Sequence, residues 1–96
     1  MQSQTEIIEK LKEIKPNLER DFEVKSIGIF GSYAQNKQTE TSDIDILVEL
    51  KKPIGWKFFA LESYLQAALN TKVDLVTPGA LKKQLKESIL SDVRFA

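Results

Sequence analysis

The chain has 96 residues, of which 42% are hydrophobic and 29% are charged, and its 14 basic residues balance 14 acidic ones. This length fits one modest hydrophobic core, so we expect a single domain over residues 1–96. A net charge of zero disfavours general attraction to nucleic acid or membranes, so we expect no direct nucleic-acid binding.

The sequence contains no cysteine and no histidine. Disulfides, thiol nucleophiles and imidazole acid–base chemistry are therefore excluded. Any metal would be held by oxygen ligands, which favours Mg²⁺, Mn²⁺ or Ca²⁺ over Zn²⁺. The N-terminus is polar, and no apolar run approaches the length of about 18 residues that a membrane span requires. We therefore expect a cytoplasmic protein without a membrane partner.

The first predicted element is an amphipathic helix over residues 5–20. Ser3 and Glu6 fit a capping box at its start. The apolar residues behind them recur at helical spacing: Ile7, Ile8, Leu11, Ile14 and Leu18. Pro16 removes one helical hydrogen bond, so we expect a kink or a break near Lys15.

The next stretch predicts two strands joined by a glycine turn. The first strand covers residues 22–30 and ends at Gly31. Ser32 is expected to cap a short helical turn that reaches Gln35 or Asn36, and a polar loop continues to residue 42. The second strand covers residues 43–49, with Asp43, Asp45, Leu47 and Glu49 on one face and an isoleucine-rich core face on the other.

The rest of the chain predicts a helix over residues 56–69, a strand over 72–77, a helix that starts at Thr77 and Pro78, and an edge strand or frayed tail over 92–96. Asn70 is expected to end the helix before it. The loop between the first two strands is too short for a helical crossover, so these strands are expected to be antiparallel. The fold class is therefore α/β (α+β), with a mixed sheet of three to four strands and three or four helices.

Two carboxylates at positions i and i+2 of a strand, here Asp43 and Asp45, lie on one face with Cα atoms about 7 Å apart. Such a pair can bridge two Mg²⁺ ions for phosphoryl chemistry. Asp74 is out of place in an apolar strand, and a third carboxylate there can complete the metal site or accept a proton. Taken singly, these aspartates are also compatible with solvated strand ends, and Gly31-Ser32 is also compatible with an ordinary turn.

The combination F-G-S-Y-A, S-D-I-D-I-L-V and K-V-D-L-V-T-P closely resembles the signature of the polymerase-β-like nucleotidyltransferase superfamily, in particular its minimal nucleotidyltransferase (MNT) branch. The resemblance covers nearly the whole chain and implies that fold. It implies that Gly31 and Ser32 hold the β- and γ-phosphates of ATP, with Gln35 beside them. It also implies that Asp43, Asp45 and Asp74 are the catalytic carboxylates and ligate two Mg²⁺ ions.

The resemblance further implies a partner and a reaction. MNT proteins of this size are often antitoxins that neutralise a HEPN-domain RNase toxin by transferring AMP from ATP to a toxin tyrosine, so a hetero-oligomer is expected. One departure concerns Gln35 and Asn36, which replace the Arg-Gly of the family motif and remove a fixed cation near the phosphates. Two alternatives stay open: an antitoxin that acts by binding with weak or no catalysis, and a nucleotidyltransferase that modifies a small-molecule hydroxyl.

Overall fold

A computed structural model describes residues 2–96 as a four-stranded sheet with four α-helices. The helices are α1 (Gln4–Phe22), α2 (Gly31–Ala34), α3 (Lys57–Leu69) and α4 (Lys83–Asp92). The strands are β1 (Val24–Phe30), β2 (Ile44–Leu50), β3 (Val73–Val76) and β4 (Arg94–Phe95). The predicted fold class is therefore confirmed. None of the helices in the described part of the chain is long and apolar enough to cross a membrane.

The strand order in the sheet is β3-β2-β1-β4. The predicted antiparallel pairing of β1 with β2 is confirmed, while β2 and β3 are parallel, so the sheet is mixed. The tail forms the short edge strand β4, which pairs with β1. Helix α3 leads from β2 to the parallel strand β3, because a parallel connection must cross from one end of the sheet to the other.

The hydrophobic core lies between one face of the sheet and the helices α1 and α3. Its helical members are fully or almost fully buried and recur at helical spacing: Ile7, Leu11, Ile14, Leu18, Leu61, Leu65 and Leu69. The sheet contributes mainly Ile27 and Ile29 from β1 and Ile44, Ile46 and Val48 from β2. This arrangement leaves the other face of the sheet for Asp45 and Asp74.

The N-terminal helix begins as predicted but does not break at Pro16. Ser3 is its N-cap, and the reciprocal capping box with Glu6 is present. The helix runs through Pro16 to Phe22 and ends at Glu23, which has a left-handed conformation. Of the kink or break expected near Lys15, the break is wrong because Ile14 and Leu18, on either side of the proline, are both buried in the core, and this burial offsets one lost hydrogen bond.

The predicted helix start at Thr77 is also wrong. Thr77 and Pro78 begin only a short 3-10 turn, Pro78–Ala80, and the backbone is extended at Leu81 and Lys82 before α4 starts. No residue of α4 is buried, so the helix lacks the core contacts that would fix its start. Asn70 does end α3 in the left-handed conformation that was predicted.

Candidate active site

Asp45 and Asp74 are direct neighbours on adjacent strands. In the parallel pairing of β2 with β3, Asp45 lies opposite Asp74, and both side chains lie on the sheet face away from the core. Neighbouring strands are about 4.8 Å apart, so the two carboxylates are close together. Asp43 is exposed and lies one residue before β2 rather than within it. The structure therefore brings two of the three predicted carboxylates into register and places the third at the strand entrance.

The carboxyl group of Asp45 is electrostatically unusual. Its partial burial, which is the largest cause, and the negative charges of Asp74 and Asp43 together raise its pKa from the ordinary 3.8 to about 6. The aspartate face was expected to be reachable by water, metal or ligand, and Asp43 and Asp74 are exposed while Asp45 is half-buried. Leu47, two residues along the same face from Asp45, is almost completely buried. The turn at Pro78–Ala80 packs against β2, which accounts for part of this burial.

Gly31 is required at its position for two reasons. Its φ angle is +71°, a backbone conformation that residues other than glycine rarely adopt. A Cβ atom built on it would overlap Asp45 Oδ2 and would lie 3.1 Å from Asp45 Cγ. The glycine therefore creates the space that the Asp45 carboxylate occupies, and the start of α2 and the carboxylate form one unit.

The N–H groups at the start of α2 have no side-chain cap and can donate to an anion. The N-cap residue is Phe30, not Ser32 as predicted, and no side chain caps this end. Uncapped N–H groups at a helix start attract phosphate. Gln35 lies at the other end of the turn, where its Nε2 donates to Asp92 Oδ2 at 3.3 Å. Of the predicted nucleotide-binding residues, Gly31 and Ser32 therefore lie by the carboxylates, while Gln35 contacts α4.

The donor set suits a hard divalent cation, because it consists of carboxylate oxygens only. Among residues 2–96, however, no three acidic side chains are grouped closely enough to hold a metal ion by themselves. Mg²⁺ commonly binds through one or two carboxylates together with substrate phosphates and water. The residues present therefore fit Mg²⁺ if phosphate oxygens complete its coordination.

Three large aromatic residues, Tyr33, Trp56 and Phe59, are not placed to stack on a nucleotide bound at the carboxylates. Tyr33 is only 3% exposed and is part of the core, so it cannot stack on a nucleotide base. Trp56 follows the end of β2 that is remote from Asp45, and its loop is tied to the end of α1 by a hydrogen bond from Lys51 N to the Glu23 carbonyl at 2.8 Å. Trp56 and Phe59 are 87% and 61% exposed, with ring centroids 5.8 Å apart. They form an exposed aromatic patch away from the carboxylates.

Sequence reasoning missed one residue near the site. The Nε2 atom of Gln4, at the start of α1, donates to the Ala34 carbonyl at 2.6 Å and to the Tyr33 carbonyl at 3.3 Å. This contact joins residues 30 positions apart, so no local pattern could reveal it. A polar cavity of about 650 Å³ adjoins it, between the first turn of α1, the end of α2 and the end of α4. The cavity is therefore not centred on the carboxylates.

Comparison with known families gives one match over most of the chain. The model of the nucleotidyltransferase domain matches residues 9–96. A Methanocaldococcus jannaschii protein, provisionally named a protein adenylyltransferase, is 52% identical over 97 residues, which cover 99% of both chains. Protein adenylyltransferase MntA of Thermococcus cleftensis is 42% identical over 82 residues, which cover 84% of this chain and 83% of the relative.

Similar folds occur among solved structures. A minimal nucleotidyltransferase superposes with a TM-score of 0.83 at 22% identity, covering 97% of this chain and 95% of that chain. A toxin–antitoxin structure with AMP-PNP matches with a TM-score of 0.69 at 26% identity, covering 98% and 72%. A Shewanella oneidensis complex of a tri-AMPylated HEPN toxin with its MNT antitoxin matches with a TM-score of 0.65 at 25% identity, covering 96% and 70%.

Proposed function

This chain belongs to the nucleotidyltransferase domain family, and on that basis we propose that it transfers AMP from ATP to a hydroxyl group of a protein partner. In this proposal residues 1–96 act as one nucleotidyltransferase domain in the cytoplasm, where ATP is available. The observation that carries the proposal is the placement of Asp45, which is in register with Asp74 and fills the space left by Gly31. That arrangement puts paired carboxylates beside a turn that can bind phosphate.

The binding of ATP is assigned to the start of α2. The N–H groups of Gly31 and Ser32 donate to the β- and γ-phosphates, because this turn has no side-chain cap to compete with them. Gln35, whose Nε2 donates to Asp92 Oδ2 in this structure, would add a further amide donor to the phosphates. Asp43 and Asp45, with Asp74, would hold Mg²⁺ together with phosphate oxygens of ATP, and the bound ion would neutralise charge on the phosphates and the leaving pyrophosphate.

The chemical step requires a proton acceptor for the partner's hydroxyl group. Asp74 is exposed and lies beside Asp45, so it can accept that proton while the hydroxyl oxygen bonds to the α-phosphorus. The bond between the α-phosphorus and the bridging oxygen then breaks, and pyrophosphate leaves. The AMP remains on the partner as a phosphodiester.

The partner is proposed to be a HEPN-domain toxin in a hetero-oligomer with this chain. Support comes from the relatives named protein adenylyltransferases and from the similar MNT antitoxin complex, in which the HEPN toxin is tri-AMPylated. The aromatic patch of Trp56 and Phe59 offers a surface for such a contact, because exposed aromatic residues often anchor protein interfaces.

The test is incubation of the protein with labelled ATP, Mg²⁺ and a candidate HEPN-domain partner protein. Label is expected on the partner with the wild type and with the matched variant Asp21→Asn, which changes an exposed aspartate on α1. Changing Asp43 and Asp45 together to asparagine should reduce labelling at least about 100-fold. Absence of label with the wild type, or full labelling by the double variant, would contradict the proposal.

A second candidate function is neutralisation by binding without catalysis. The specific observation in its favour is that the aromatic patch lies away from the carboxylates, so a partner can bind without engaging the site. In this case the folded Asp43→Asn, Asp45→Asn variant would still protect cells from the toxin, whereas the Trp56→Ala, Phe59→Ala variant would not. Loss of protection in the aspartate variant would exclude it.

A further inference from the structure

The helix α2 is too short to be stable without external contacts. It has one turn, and its neighbouring backbone bonds run from Gln35 N to the Gly31 carbonyl at 3.1 Å, from Lys37 N to the Ser32 carbonyl at 2.8 Å and from Asn36 N to the Tyr33 carbonyl at 3.2 Å. Isolated helices this short do not persist in water. The carbonyl of Ala34, the last residue of α2, accepts none of these backbone bonds, so its partner must come from elsewhere in the chain. The position of Gly31 and Ser32 therefore depends on what holds this end.

The side chain of Gln4 is one such contact. Its amide nitrogen donates to the carbonyls of both Tyr33 and Ala34, at 3.3 and 2.6 Å. These are the last two residues of α2. One half-buried side chain thus reaches the end of the turn opposite to Gly31, in addition to the packing of Tyr33 and Ala34 in the core.

The position of Gln4 is fixed by the N-terminal cap of α1. Gln4 is the first residue of α1, immediately after the N-cap Ser3. The capping box fixes this position through Glu6 N to Ser3 Oγ at 3.1 Å and Ser3 N to Glu6 Oε1 at 3.2 Å. The buried side chain of Ile7 anchors the same turn in the core. The hydrogen bonds of Gln4 therefore fix the end of α2 relative to the start of α1.

We propose that Gln4 is a positioning residue for the nucleotide, which holds the Gly31-Ser32 turn at the distance from Asp45 that ATP binding requires. The inference rests on the proposed function. Small movements of α2 matter because Gly31 already contacts the Asp45 carboxylate. Any shift of α2 therefore changes the distance between the Gly31-Ser32 turn and Asp45. A displacement of about 1 Å in such a site is enough to reduce the rate substantially.

The test uses the isosteric variant Gln4→Glu, whose carboxylate cannot donate to a carbonyl. The KM for ATP should rise about tenfold, while the KM for the protein acceptor stays unchanged. The variant Gln4→Lys keeps a donor and should restore the KM for ATP. A general effect on α1 predicts the opposite order, because a negative charge in the first turn stabilises a helix and a positive charge does not.

Gln2→Glu is the matched control. Gln2 Nε2 donates to the carbonyl of Leu69, the last residue of α3, so this variant loses a similar bond to a helix end without touching α2. Its KM for ATP should equal that of the wild type. An unchanged KM in Gln4→Glu, or an equal rise in Gln2→Glu, overturns the role of Gln4 alone. A wild type that transfers no nucleotide to any acceptor overturns the proposed function as well.

Discussion

Replacing Asp45 with asparagine should stabilise the metal-free protein while removing its activity. The folded state holds the Asp45 carboxyl with a raised pKa, so it binds a proton more tightly than the unfolded chain does. Stability from this group is fully present below its unfolded pKa of 3.8 and is lost as the pH rises through about 6. Asparagine keeps the shape of the side chain without the charge, so the variant avoids this loss.

The expected gain in stability of Asp45→Asn follows from the shift in the pKa of Asp45. A rise from 3.8 to about 6 corresponds to at most about 3 kcal/mol at neutral pH. Asp45 is only half-buried, and solvent screening reduces this value, so we expect about 1.5 kcal/mol. For a domain of this size, that difference raises Tm by roughly 6–12 °C.

The assay is thermal unfolding in EDTA between pH 3.5 and pH 7.5. The difference in Tm between Asp45→Asn and the wild type should be near zero at the lowest pH, grow between pH 4 and pH 6, and stay constant above pH 7. Asp21→Asn, an exposed aspartate paired with Arg20 at 3.1 Å, should show little difference at any pH. A gain that does not depend on pH, or a loss of stability in Asp45→Asn at pH 7.5, would refute the electrostatic reasoning.

Three further substitutions test the rest of the fold and site. Gly31→Ala should reduce AMP transfer about 100-fold, because the new Cβ displaces Asp45, whereas Gly79→Ala, with no atom within 4 Å of its Cβ position, should be tolerated in the same transfer assay. Leu11→Ala should lower the free energy of unfolding in urea by about 2–5 kcal/mol, since Leu11 is fully buried, and Leu85→Ala on the exposed face of α4 should change it by less than about 0.5 kcal/mol. Glu23→Gly should raise the free energy of unfolding in urea by about 1 kcal/mol, because Glu23 has a φ of 58°. An unchanged or lower free energy of unfolding would mean that the contact of Glu23 with Lys52 matters more than the backbone strain.

The sequence was sufficient to predict the features that depend on local pattern. The alternation of Ile44, Asp45 and Ile46 predicted which face of β2 is core. The apolar neighbours of Asp74 in its strand indicated that this carboxylate belongs to the candidate site. The register that sets Asp45 opposite Asp74 was not predictable, because it depends on how Ile44 and Val73 pack in the core of the folded sheet.

Contacts between distant parts of the chain explain what the sequence could not give. The bonds of Gln4 to α2 and of Gln35 to Asp92 join residues 30 and 57 positions apart. The start of α4 was wrongly placed because Thr77-Pro78 is a strong local signal for a helix start, and the 3-10 turn satisfies the same signal. The continuity of α1 through Pro16 likewise follows from tertiary burial rather than from local preference.

The position of Trp56 has a spectroscopic consequence. It is the only tryptophan of the chain, it is 87% exposed, and it lies at the end of the sheet remote from Asp45. Its emission therefore starts at the red wavelengths of a hydrated indole and should not respond to ATP. A partner that covers the aromatic patch would shift this emission to the blue and shield it from acrylamide. The unlabelled protein thus carries an optical reporter that separates occupation of the aromatic patch from occupation of the candidate active site.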